Sequence, residues 1–271
     1  MNLAWLSSRV LGAVVVGACL YLILPTLVIV PISFTSADYI SFPPVGFSLR
    51  WYEVFVGEGV WRTATLNSLL VALLSATCAT AVGTAAALGL RRLRGKAAQL
   101  VIALILLPMI IPGIIIAVAL YGSFSRMGII GTYVGLVVAH TILALPFVVI
   151  NVSAVMQKVD WRTVDAARSL GAGPLTAFRK VTLPSILPGA VSGAVFAFLT
   201  SFDEVVVSIF LTGIDTVTLP VQMWNGIRFE ISPAVASASS IMLGLSVIFL
   251  ALYSASKKLG TSSAASAAAS H

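Results

Sequence analysis

Charge is what this chain has least of. Of 271 residues only 16 are Lys or Arg and 9 are Asp or Glu, 9% together, where a soluble domain carries about 25%. That deficit excludes an ordinary globular domain in water. With 59% hydrophobic residues and a mean hydropathy of +1.07, it also excludes disorder, which needs low hydrophobicity and high net charge. Cysteine is nearly missing: Cys19 and Cys78 both lie in apolar runs and offer neither a disulfide framework nor metal spacing. Histidine is as scarce, with His140 inside an apolar run and His271 at the end. Catalytic triads and metal sites are thus poorly supplied, and the expectation is no catalytic residue, no metal ligand and no cofactor in this chain. Gly95-Lys96 is followed by Ala97 and lacks the earlier glycine of a P-loop, so the chain is not expected to bind ATP itself.

What is present instead is uncharged length. The stretches Val10–Ala37, Thr63–Leu90, Ala97–Ser125, Met127–Gln157, Val181–Phe202 and Ile231–Ser256 hold no charged residue, and Arg126 alone separates two of them. About 20 mostly apolar residues cross a bilayer as a helix, and none of these runs alternates as a membrane β-strand would. The fifth run meets Asp203 and Glu204 but continues as Val205-Val206-Val207-Ser208-Ile209-Phe210-Leu211, which reads as one span interrupted by two acids. The expectation is an all-α membrane protein with a single transmembrane domain over 1–258 and spans near 10–34, 65–90, 97–121, 132–155, 185–211 and 232–256. The small-residue segment 259–271 reads as a low-complexity tail. Arg9 ahead of Val16-Gly17-Ala18-Cys19 resembles a signal peptide with a lipoprotein cleavage box, but the apolar run continues well past Cys19, so an uncleaved first span is the better reading.

The net charge of +7 could suggest nucleic acid; its placement suggests topology. With the N-terminus inside, Arg9, Arg91, Arg92, Arg94, Lys96, Lys158, Arg162, Arg168, Arg179, Lys180, Lys257 and Lys258 are cytoplasmic, 12 of the 16, and only Arg50, Arg62, Arg126 and Arg228 lie outside. The positive-inside rule then predicts both termini in the cytoplasm.

Three segments stand out. No internal repeat is visible, nor an inverted pair of broken spans, but the third span contains Pro108-Met109-Ile110-Ile111-Pro112-Gly113. Two prolines four apart predict a kink, either for packing or to line a pathway. The inside loop 158–184 predicts a short helix near Asp160–Leu170 with Asp160 as N-cap, a left-handed stop at Gly171, and a second short helix over Leu175–Thr182. With Ala166 and Ala167 keeping one face shallow, this makes a compact knob that a protein could approach; an amphipathic loop lying on the headgroups would use Trp161 and the arginines as well. Asp203 and Glu204 are the only acids inside the expected spans. An Asp at a helix centre costs about 2.5–3.5 kcal/mol against about 0.3–0.6 gained per Leu, Ile, Phe or Val, so the pair should face protein or water and serve a function. Counted from Leu187, Asp203 lies about 24 Å along the helix, toward the outer side, and its neighbour points about 100° away. Phe202, Tyr121 and Trp224 are candidate aromatics for cation–π contact, with packing or interfacial anchoring as the plainer alternative.

The loop's spacing goes further. Asp165-Ala166-Ala167, three residues, Gly171, nine residues, Val181, one residue, Leu183-Pro184 resembles the signature loop of bacterial type I ABC-importer permeases: Glu-Ala-Ala, three, Gly, nine, Ile, one, Leu-Pro. Asp165 for Glu and Val181 for Ile preserve charge and apolarity. Pro44–Tyr52 and Asn67-Ser68-Leu69 are similar to stretches common in the same family, and Ser201–Ser208 followed by Thr218–Trp224 resembles one subgroup, the second permease of spermidine/putrescine importers. The resemblance implies a multi-pass bacterial inner-membrane subunit that is not itself an enzyme. Two copies of a cytoplasmic ABC ATPase would carry ATP and Mg, a sister permease would complete the pathway, and a periplasmic substrate-binding protein would deliver a cationic substrate. It implies that Asp165, Ala166, Ala167, Gly171, Leu183 and Pro184 couple to the ATPase. Asp203, Glu204, Phe202, Tyr121 and Trp224 are the expected pathway residues. Another amine, an opine or an amino-acid-like cargo is the alternative substrate, and a self-sufficient secondary carrier the alternative class; nucleic acid is not an expected partner.

Overall fold

A computed structural model describes the backbone over 3–57, 59–229 and 232–268, and side chains over 9–57, 59–229 and 232–251. The side chains of Lys257, Lys258 and the tail from 259, and all of His271, lie outside the described residues. Among the described residues the regular structure is all helix, with no strand. Five helices are long and apolar enough to cross a bilayer: Arg9–Ile32, Gly59–Leu90, Tyr133–Met156, Pro174–Phe202 and Ala234–Ala251; a bent pair, Gly95–Ile110 with Gly113–Met127, makes a sixth if counted as one span.

The chain groups into two compact units, Met1–Arg62 with Met223–Leu245 and Thr63–Gln222 with Ser246–His271. In the first, α1 (Leu3–Ile32) is followed by a loop and α2 (Arg50–Gly57). The loop is held by its aromatics. The Phe34 ring stacks on Phe47 at 5.1 Å, the Ser33 and Tyr52 hydroxyls meet at 2.7 Å, Trp51 Nε1 donates to the Ala37 carbonyl at 3.2 Å, and Arg50 pairs with Asp38 at 2.8 Å. Ser237, near the start of the last helix, α12 (Ala234–Ala268), donates its hydroxyl to the Trp51 carbonyl at 3.1 Å.

In the second unit α3 (Gly59–Leu90), α4 (Gly95–Ile110), α5 (Gly113–Met127), α6 (Tyr133–Met156) and α9 (Leu183–Phe202) carry the mass; α3 begins in the first unit and α12 ends in this one. Glycines let α3, α6 and α9 approach closely. A Cβ on Gly193 of α9 would lie 2.8 Å from Val148 Cα of α6, one on Gly83 of α3 would lie 2.8 Å from the Val148 side chain, and one on Gly189 would lie 2.9 Å from the Asn151 carbonyl. Lipid tails are as apolar as leucine, so helices in a membrane gain most from such close van der Waals packing at small residues. Val71, Ala117, Phe124, Leu136, Ala139, Val207 and Leu211 form a buried cluster in this unit.

Two spans differ from the regular helices that hydropathy suggests. The third is broken rather than kinked: α4 and α5 meet at 105°. Pro108 is accommodated inside α4, and the break falls at Ile111, which is extended (φ −75°, ψ 133°), followed by Pro112 at φ −53°, ψ 133°. A residue before proline is pushed out of the helical region, so Ile111 ends the helix. The fifth span is likewise two pieces. Its helix stops at Phe202, and after Asp203-Glu204-Val205 a separate α10 (Val206–Leu211) begins. Ahead of it, the loop carries α7 (Arg162–Ser169), and the expected second loop helix is not free-standing. Instead α8 (Pro174–Ala177) runs through a five-residue π turn, Phe178–Thr182, directly into α9. Proline lacks an amide to donate, and Pro184 sits just where this widened turn returns to α-helix.

Candidate functional site: a signature loop and an acid at a broken helix

The loop 158–184 is built as a closed corner. Asp160 accepts the Arg162 amide on Oδ1 at 3.0 Å, and the Thr163 hydroxyl donates to the Asp160 carbonyl, starting α7. At the other end the Gly171 amide bonds the Arg168 carbonyl and the Ala172 amide bonds the Ala167 carbonyl, each at 3.0 Å, with Gly171 at φ +89°. This nested pair is a Schellman stop, which needs a left-handed residue at the position of Gly171. Asp165 and Ala166 are exposed, Ala167 half-buried, and Leu170 at the tip is 90% exposed. Further along, Leu183 is half-buried and Pro184 exposed. The Arg91 guanidinium stacks 3.5 Å from the Trp161 ring centre, a cation–π contact that ties the start of the knob to the end of α3.

Sequence leaves open which of the two acids faces a pathway, and the structure separates them. Glu204 lines a cleft of about 230 Å³ together with Pro108, Met109, Gly113, Phe147 and Thr200. Its Oε1 accepts the Val207 amide at 2.8 Å, so the carboxylate satisfies one of the free donors at the start of α10. Asp203 is exposed at the end of α9 and is not among the lining residues. The proline break of the third span and the acid break of the fifth therefore meet in one place. Of the candidate aromatics, Phe202 is 2% exposed and stacks on Phe198 at 5.5 Å, a packing role. Tyr121 on α5 is 47% exposed and outside the cleft lining, and Trp224 on α11 (Leu219–Phe229) belongs to the other unit. The aromatic in the cleft is Phe147, together with Thr200; neither carries a motif, and both look like ordinary span residues in the sequence.

Two larger clefts, of about 430 and 670 Å³, share Arg91 and Trp161 near the knob. The first is lined mainly by aliphatic side chains; the second is lined by Arg91, Arg92 and Arg168 against one acid, Asp165. An excess of guanidinium groups repels a cation, whereas the smaller cleft presents a carboxylate.

A loop between α10 and α11 explains two of the motifs. Asn67 Nδ2 donates to the Asp215 and Val217 carbonyls at 3.0 and 2.9 Å, Tyr133 donates its hydroxyl to Asn67 Oδ1 at 2.7 Å, and the Leu219 amide donates to Ser68 Oγ at 2.8 Å. Asn67-Ser68 thus holds Thr218-Leu219 and the turn before it, while Ile214 stands 96% exposed at the tip.

The family described as "Binding-protein-dependent transport system inner membrane component" matches residues 79–258. The spermidine/putrescine transport system permease protein PotC of Haemophilus influenzae is 34% identical over 86% of this chain and 90% of its own length. The putrescine transport system permease protein PotI of Escherichia coli is 30% identical over 83% and 82%. Among solved structures, a bacterial ABC transporter involved in the import of the acidic polysaccharide alginate aligns with a TM-score of 0.70 at 13% identity, covering 95% of this chain and 98% of that one, a likeness of fold alone. The chain belongs to the family of binding-protein-dependent transport system inner membrane components, and its fold is that of a type I ABC-importer permease.

Proposed function

We propose that this permease subunit imports a polyamine of the spermidine/putrescine type, and that Glu204 meets its ammonium groups. The observation that carries this reading is the cleft at the two helix breaks. A carboxylate, a hydroxyl, a thioether and an aromatic ring line it, which suits an ammonium group on a methylene chain. The names of the polyamine permeases similar over most of the chain support the same class of cargo. In this proposal a sister permease supplies the facing half of the pathway and a periplasmic binding protein delivers the substrate. Two copies of a cytoplasmic ATPase bind ATP and Mg, and this chain performs no chemistry. The α7 knob, with Asp165, Ala166, Ala167 and Gly171 at its surface and Leu183-Pro184 joining it to α9, docks on the ATPase. Motion of the ATPase pair then reaches the α9–α10 break along a helix continuous from Pro174 to Phe202. Both termini are cytoplasmic, which leaves the Asn67-held turn with Ile214 on the outer face.

The test is uptake of labelled spermidine and putrescine by the reconstituted complex at saturating loaded binding protein, beside its ATPase rate. A hydrogen bond to a charged group is worth about 1.5–3 kcal/mol, so Glu204→Gln is expected to lower uptake about tenfold or more with ATPase activity kept. Asp203→Asn should change uptake less than Glu204→Gln. A complex with an active ATPase that takes up neither polyamine would discard the substrate and keep the permease. Saturable uptake without any ATPase would favour a self-sufficient carrier.

A further inference from the structure

The imidazole of His140 is buried where two helix fragments meet. His140 stands on α6 with 1% of its surface exposed. Its ring nitrogens reach opposite sides of the α9–α10 break: Nδ1 lies 2.7 Å from Ser201 Oγ in the last turn of α9, and Nε2 lies 3.0 Å from Ser208 Oγ in α10. Both serines are buried, at 5% and 0% exposure. Between them runs the non-helical segment that carries Glu204.

We propose that His140 is a positioning residue for the substrate: it pins the two half-helices at the angle that keeps the Glu204 carboxylate in the cleft. The inference rests on the reading that Glu204 contacts the cation. Three features support it. A helix of six residues, as α10 is, is too short to be stable by its own hydrogen bonds, so its orientation must come from neighbours. A neutral imidazole has one donor and one acceptor, and a serine hydroxyl takes either role, so in either tautomer one ring satisfies both half-helices. Any other angle between them would strand a buried polar group, which is costly. Finally, Glu204 also accepts the Val207 amide. A cation arriving at the carboxylate competes for it with the start of α10, and the His140–Ser208 bond then holds α10 in place.

The plain alternative is that His140 only satisfies buried hydroxyls. It predicts that substitutions change how much complex assembles and leave substrate binding per complex alone. The readout is therefore binding of labelled spermidine to the assembled, vanadate-trapped complex without binding protein, with ATPase stimulation by the binding protein measured alongside. His140→Phe leaves two serines stranded and can impair assembly. The triple variant His140→Phe, Ser201→Ala, Ser208→Ala leaves none, so it should assemble. The triple variant is expected to bind spermidine about tenfold more weakly with near-normal ATPase stimulation, and His140→Gln, which keeps a donor and an acceptor, should recover part of the loss. In a Glu204→Gln background the triple should add little, because the pin acts through that carboxylate. An assembled triple that binds like wild type, beside a defective Glu204→Gln, overturns this inference alone. Full additivity with Glu204→Gln overturns it too. A Glu204→Gln complex with normal binding sinks the substrate-contact reading and this inference with it.

Discussion

Gly171 illustrates how a single backbone angle can be read from sequence. Nothing lies within 4 Å of the place where its Cβ would stand, yet its φ is +89°. Space is therefore not the constraint; handedness is, at roughly 1–2 kcal/mol for an ordinary L-residue. Gly171→Asn, which tolerates the left-handed region, should keep most ATP-driven uptake, whereas Gly171→Val should lose most of it although the chain still inserts. Equal uptake by the two variants would remove the conformational requirement. The stop at Gly171 is legible because Gly171-Ala172-Gly173-Pro174 states its geometry locally. The difference between Asp203 and Glu204 is not: neighbouring residues on a helix point about 100° apart, and only the packing of α4, α6 and α10 around the break selects the one that enters the cleft. Tyr121 and Trp224 are candidates by residue type, and type says nothing about which face of a helix a pathway uses.

At the scale of elements, the runs between charges locate the helices, while their breaks depend on finer grammar. Ile111-Pro112 contains the cause of its own break, since the residue before proline leaves the helical region; the 105° angle comes from what α5 then packs against, Val207 and Leu211 on α10 among them. The glycines of α9 are opaque in sequence, because a glycine in an apolar run reads the same whether it faces lipid or a helix. Gly193 is the sharp case, with a Cβ position 2.8 Å from Val148 Cα. Backbone cannot yield as a side chain can, and overpacking costs about 1–3 kcal/mol. Gly193→Ala should lower the melting temperature of the purified complex by several degrees, and Gly193→Leu, far too large for the gap, should prevent stable assembly. A Gly193→Leu complex that melts with wild type would show that α6 and α9 do not need this approach.

At the scale of the whole molecule, composition alone announces a membrane protein, and a loop with long-range spacing announces its family. What neither announces is how bare the first span is. Between Arg9 and Pro31 no residue of α1 is buried, and Val10, Leu11, Leu20, Leu22 and Leu27 are all more than half exposed. An apolar helix without intramolecular cover must meet lipid or another subunit. On the proposed reading that other subunit is the sister permease, and the chain alone is only half of a transporter. Expressed without its sister permease and ATPase, it is expected to insert and to give no saturable polyamine uptake; co-expression of the partners should restore it. Saturable uptake by the lone chain would refute the subunit reading.

The placement of Glu204 has an electrical consequence. If it contacts the cargo as proposed, this carboxylate lies part-way through the transmembrane field, where moving one elementary charge through 100 mV is worth about 2.3 kcal/mol. An inside-negative potential pulls a cation resting there toward the cytoplasm and opposes its return. On that reading the carboxylate divides the voltage drop into two steps, the first of which fills the site and the second of which empties it in the direction of import.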